Sequence, residues 1–172
     1  IADKATVAGV EIEIRKNLFV RPVSNAAHGM NKLSLGLNGS YIYTNAKMPL
    51  ATVTTGSQLE GAAPWIVNFD LSHNFTKGER SFVNTLVLNY VSDKIYTIGT
   101  QGYQDIMEQG VLTLDFVSQA KLNKHLSFNL KARNLLNPSY KLSRKANENG
   151  EKVILNDYKK GINISLGVSC TF

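Results

Sequence analysis

The twelve residues that close the chain constrain it more than any other stretch. From Gly161 to Phe172 every even position is apolar (Ile162, Ile164, Leu166, Val168, Cys170, Phe172) and every odd one is small or polar. A strand sends successive side chains to opposite faces, so this pattern describes a strand with one apolar and one wet face. A helix would scatter the same residues around its axis. The alternation recurs upstream. Leu126, Phe128, Leu130 and Ala132 alternate with Ser127, Asn129, Lys131 and Arg133, and Leu112, Leu114 and Phe116 with Thr113, Asp115 and Val117. Val67, Phe69 and Leu71 interleave with Asn68, Asp70 and Ser72. Leu33, Leu35, Leu37, Tyr41 and Tyr43 do so with Ser34, Gly36, Asn38 and Ser40, and Val10, Ile12 and Ile14 with Glu11, Glu13 and Arg15. In 81–92, Val83, Leu86, Val87 and Leu88 fit either face, and the register stays open. The reading is an all-β chain of about seven strands, near 5–16, 32–46, 64–75, 81–92, 111–122, 125–136 and 161–172, forming one unit over 1–172.

Composition removes the competing classes. With 43% apolar and 19% charged residues the chain is too greasy to be disordered, and no apolar run approaches the ~18 residues of a spanning helix. A single cysteine, Cys170, excludes an intrachain disulfide framework and a cysteine-based zinc cluster. The chain lacks an initiating Met and a signal-peptide pattern and opens directly into a strand, so a processed or truncated piece of a longer protein is expected.

Alternation alone does not separate a soluble sheet from a membrane barrel, so other features decide. The strands are long. Turns 76–80 and 123–124 are tight, whereas connections 47–63, 93–110 and 137–160 are long and rich in Gly, Asn, Lys and Gln. Short periplasmic turns alternating with long extracellular loops are the habit of transmembrane barrels. The connection 17–31 breaks the rule, being long on the short-turn side. Full charges stand at mid-strand on the polar face: Glu11, Glu13, Arg15, Asp70, Asp115, Lys131 and Arg133. A dry core would penalise them heavily; a water-filled lumen solvates them. Aromatics gather at strand ends, Tyr41, Tyr43, Trp65 and Tyr90 at the proposed outer side and Phe75, Phe82 and Phe172 at the inner, as in interfacial girdles.

The segment Ser165-Leu166-Gly167-Val168-Ser169-Cys170-Thr171-Phe172 resembles the C-terminal signal read by the outer-membrane barrel-assembly machinery, with Gly167 and the terminal Phe172 in place and Cys170 where an aromatic is usual. Three further stretches resemble the C-terminal strands of TonB-dependent outer-membrane receptors: Lys4 to Glu13 (KATVAGVEIE), Leu59 to Asn68 (LEGAAPWIVN) and Arg133 to Tyr140 (RNLLNPSY). The resemblance implies a 22-stranded barrel of a Gram-negative outer membrane, of which this chain would be the C-terminal part. Its plug and earlier strands would lie outside these residues. It implies import of a scarce nutrient (ferric siderophore, haem, cobalamin or glycan), energised by TonB through the plug. Partners would be outer-membrane lipid and lipopolysaccharide, the rest of the barrel and its plug, and the assembly machinery. No cofactor is implied.

Catalytic chemistry finds little support. Glu11 and Glu13 share a strand face and read as lumen residues balanced by Arg15 rather than an acid/base pair. His125, Ser127 and Asn129 also share a face, but side chains two apart on a strand stand roughly 7 Å apart, too far for nucleophile activation. His28, His73 and His125 are scattered, and no metal site is read from them. No nucleotide-binding fingerprint or nucleic-acid module is present. Loop 137–160 carries Lys141, Arg144, Lys145, Lys152, Lys159 and Lys160 against Glu148, Glu151 and Asp157, a balance of +3 open to lipopolysaccharide phosphates, an anionic ligand or solvent alone. Leu142 and Val153 to Leu155 would prolong the flanking strands as a hairpin, with Gly150 at its turn. Two other architectures compete: a complete small outer-membrane barrel with an adhesin or structural role, whose eighth strand would sit around Phe19 to Val23 against the objection of Pro22, and a soluble β-sandwich binding module.

Overall fold

The computed structural model describes residues 4–23, 29–47, 58–99, 103–146 and 151–172, and among them there is no helix. Seven long strands form one antiparallel sheet: β1 (Lys4–Pro22), β2 (Met30–Lys47), β3 (Trp65–Lys77), β4 (Arg80–Val91), β7 (Val111–Lys121), β8 (Leu126–Arg133) and β11 (Asn163–Cys170). They pair in the order β1-β2-β3-β4-β7-β8-β11, each long strand beside the next one in the chain. Four short strands make a second sheet: β5 (Lys94–Thr97), β6 (Ile106–Glu108), β9 (Ser139–Lys145) and β10 (Lys152–Lys159), ordered β10-β9-β6-β5.

Register sorts the long strands into two continuous faces. One apolar row runs Ile14, Leu37, Phe69, Leu88, Leu114; the next runs Leu35, Leu71, Leu86, Phe116, Ala132, Ile164. The opposite face carries Glu13, Asn38, Asn68, Asn89 and Thr113 in one row and Asn17, Ser34, Ser72, Thr85, Val117, Lys131 and Ser165 in another. The register of 81–92 is thereby settled. Phe82, Leu86, Leu88 and Tyr90 lie on the apolar face, while Val83 and Val87 lie on the polar one.

Nothing among the described residues covers the apolar face. Ile12, Ile164 and Leu166 are 62%, 68% and 71% exposed, and no large side chain is fully buried. A sandwich lays a second sheet over such a face, and the second sheet among the described residues does not cover it. The small-barrel alternative loses its extra strand as well. Residues 17–22 continue β1, paired up to Pro22 with Met30, and an irregularity between Asn17 and Phe19 shifts the phase of the alternation. Pro22 is the last residue of β1, so its missing N–H leaves the ladder before it intact. The connection breaking the short-turn rule therefore shrinks to 23–29, of which 24–28 lie outside the described residues.

The hairpin anticipated in 137–160 forms as β9 and β10, with Gly150 outside the described residues. It does not simply prolong its flanking strands. Asn134 and Asn137 take positive φ (58° and 43°), and Gly161 does so at 81°, so the chain turns at the base of the hairpin. β9 then pairs with β6, joining two long connections into the second sheet.

Candidate functional site

The polar face of the seven-stranded sheet holds the densest array of functional groups. Glu13 and Arg15 on β1 form an ion pair. From β4 to β1 runs a chain of amides: Asn89 Nδ2 donates to Asn68 Oδ1, Asn68 Nδ2 to Asn38 Oδ1 at 3.3 Å, and Asn38 Nδ2 to Glu11 Oε1. One strand step toward the turns, Gly36 stands between Arg15 on β1 and Asp70 on β3. A Cβ at Gly36 would lie 2.1 Å from Asp70 Oδ1, so the carboxylate occupies the space that glycine leaves, within electrostatic reach of Arg15. Below it, Ser72 and Thr85 hydroxyls meet at 3.1 Å. These groups border an open polar concavity lined by Arg15, Lys32, Ser34, Asp70 and Asn74.

Of the charged residues expected on this face, Glu11, Glu13, Arg15 and Asp70 are gathered on β1 and β3. Asp115 has a different employment. Its Oδ1 accepts the Asn134 backbone N–H at 2.8 Å, Asn134 Nδ2 donates to the Gly161 carbonyl at 2.7 Å, and the Gly161 N–H donates to Asn137 Oδ1 at 3.0 Å. The stretch Arg133 to Tyr140 is thus the clamp at the base of the β9–β10 hairpin. Lys131 lies across from Ser165 and Arg133 from Asn163. Leu59 to Asn68 is also a corner: Gly61, with φ of 76°, donates its N–H to the Ile95 carbonyl at 2.8 Å, and the Pro64 carbonyl accepts from Ile42 N–H at 2.9 Å.

An open pocket of about 190 Å³ is bordered by Asn89, Lys94, Glu108, Gln109, Thr113, Tyr140 and Lys160 among others, from the second sheet, the polar face and the residues beside them. Lys94 pairs with Glu108 at 3.2 Å, and Lys160 Nζ lies 3.8 Å from the Tyr140 ring centroid. Periodicity did not single out this pocket, because β5 and β6, of four and three residues, are too short to show a repeat.

At the loop end of the apolar face, the rings of Tyr41 and Trp65 lie 4.5 Å apart, with Tyr43 and Tyr90 exposed on the same face. Phe75 and Phe82 face each other at 6.3 Å at the turn end. Cys170 and Phe172 are exposed at the end of β11, and Gly167 lies opposite Asn129. An added Cβ there would make only ordinary contact at 3.7 Å, so local packing does not demand glycine. The His125 ring nitrogen bonds the Thr171 carbonyl at 2.7 Å rather than Ser127, and no group of His, Cys, Asp and Glu among the described residues is placed to hold a metal.

An antiparallel wall with strands of up to 19 residues, apolar on one side, polar on the other and aromatic at both apolar margins, is that of a membrane-spanning β-barrel. Residues 1–135 match the family described as TonB dependent receptor-like, beta-barrel, and the chain belongs to that family. Its proteins are receptors and transporters of the Gram-negative outer membrane that work with a plug and with TonB. The match stops one residue beyond Asn134, so β9, β10 and β11 lie outside it. No curated protein and no solved structure matches the chain.

Proposed function

We propose that this chain forms the C-terminal strands of a receptor that imports a scarce nutrient of the ferric siderophore, haem, cobalamin or glycan class. The observation that carries the reading is the continuous polar face behind an uncovered apolar one, in a chain matching the receptor family over most of its length. In this reading the apolar face meets lipid. Glu11, Glu13, Arg15, Asp70, Lys131 and Arg133 face the lumen and its plug, and Asp115 spends its carboxylate on the hairpin clamp. Tyr41, Tyr43, Trp65 and Tyr90 form the outer girdle, and Gly167, Cys170 and Phe172 address the assembly machinery. The second sheet stands outside the membrane over the mouth, where Lys145 and Lys152, opposite each other on the hairpin, suit lipopolysaccharide phosphates. β1 and β11 each have a neighbour on one side only, and the rest of the barrel would cover the open edges.

The test is uptake by cells that depend on the full receptor. Cells carrying it are expected to accumulate a compound of one of the four classes and to stop when TonB is deleted. Uptake that survives loss of TonB, or indifference to all four classes, overturns the proposal.

A further inference from the structure

The apolar face ends, on the side of the tight turns, in a fringe of cations. Lys77 and Arg80 are directly paired across the β3–β4 hairpin, whose two-residue turn uses Gly78 at φ 61°. They continue the face that carries Phe75 and Phe82 one step above them. Like charges opposite each other on a hairpin repel. Glu79 in the turn between them is paired with Lys124 at 3.1 Å, and none of the ion pairs among the described residues involves Lys77 or Arg80. On β1, Arg21 lies over the Phe19 ring at 5.5 Å and falls in the same row as Phe75. Arg21, Lys77, Arg80 and Lys124 against Glu79 leave this rim at +3. Phenylalanines stand above it, then the row of His73 and Asn84, then leucines.

We propose that this rim binds an acidic glycerophospholipid. Its phosphate sits between Lys77 and Arg80, flanked by Lys124 and Arg21, and its acyl chains lie along Phe75, Phe82, Leu71 and Leu86. The anion offsets the repulsion built into the hairpin, and both cations keep their stems on apolar surface while their heads reach the polar boundary. The row carrying His73 and Asn84 lies one step deeper, where His73 is bonded to Asn31 at 2.8 Å and Asn84 accepts from Ser118 at 2.7 Å, so each of these side chains has a partner at lipid depth. The site rests on the reading that the apolar face meets lipid.

The experiment uses the full receptor, delipidated in detergent and titrated with phosphatidylglycerol or phosphatidylethanolamine of identical chains, with retained lipid counted by native mass spectrometry. Phosphatidylglycerol should be retained preferentially, and each cation removed in Lys77→Gln and Arg80→Gln should weaken its retention about fivefold. Glu79→Gln, which frees Lys124, should strengthen it. Equal retention of the two lipids, or a preference unchanged in the double variant, overturns the site. Phe82→Trp with brominated acyl chains tells that failure from failure of the underlying reading. Quenching without headgroup preference rejects the site alone; no quenching in either lipid rejects the lipid-facing assignment as well.

Discussion

Gly36 carries a contact that no side chain there would allow. Asp70 leans over it toward Arg15, so a methyl group at residue 36 must displace the carboxylate. Because the obstructing atom is the end of a movable side chain, Gly36→Ala is expected to cost about 1–2 kcal/mol, not to prevent folding. Thermal unfolding of the full receptor, read by the mobility shift of unheated and heated samples, measures this. Asp70→Ala in the same background should recover most of the loss, and full additivity of the two changes would show that they do not interact. Asn68 offers a second test, since its side chain both donates and accepts in the amide chain. Asn68→Ala removes both bonds at once. A loss of about 1–2 kcal/mol is expected if water replaces them, and a larger one if the neighbours are left dry.

At the level of elements, the base of the β9–β10 hairpin is held by Asn134, Asn137, Gly161 and Asp115. Asn137→Ala removes the acceptor for Gly161 and places a side chain with no local hydrogen bond at positive φ. Proteolysis within 139–159 should accelerate several-fold while the seven-stranded sheet stays intact; unchanged cleavage rates would show that β9–β6 pairing alone fixes the hairpin. The long strands were legible in the sequence because one face of each carries a run of alternating apolar residues. The end of β1 was hidden where the irregularity at Asn17 to Phe19 shifts the alternation by one. The second sheet was only half visible. Val153 to Leu155 advertise a strand, but pairing of β9 with β6 joins residues some 35 positions apart through three register pairs, which local pattern does not encode. The amide chain was hidden for a related reason: Asn38 and Asn68 were in view as polar alternates, but Asn89 falls in the segment whose valines and leucines suit either face.

For the whole molecule, the uncovered apolar face and the open outer edges of β1 and β11 govern behaviour away from lipid. Residues 1–172 expressed alone are expected to aggregate in aqueous buffer and to disperse only in detergent. Size-exclusion chromatography with near-ultraviolet circular dichroism checks this, and a monodisperse, rigid monomer in water would contradict the membrane reading. The amide chain also has a bearing on the whole wall. Every link points the same way, from Asn89 through Asn68 and Asn38 to Glu11, because a carboxylate accepts and cannot donate. One residue at the margin therefore sets the orientation of three others across four strands, each amide polarising the next. Replacing Glu11 with glutamine would let the row read in either sense, so that a single charge acts as the arrow on a line otherwise free to reverse.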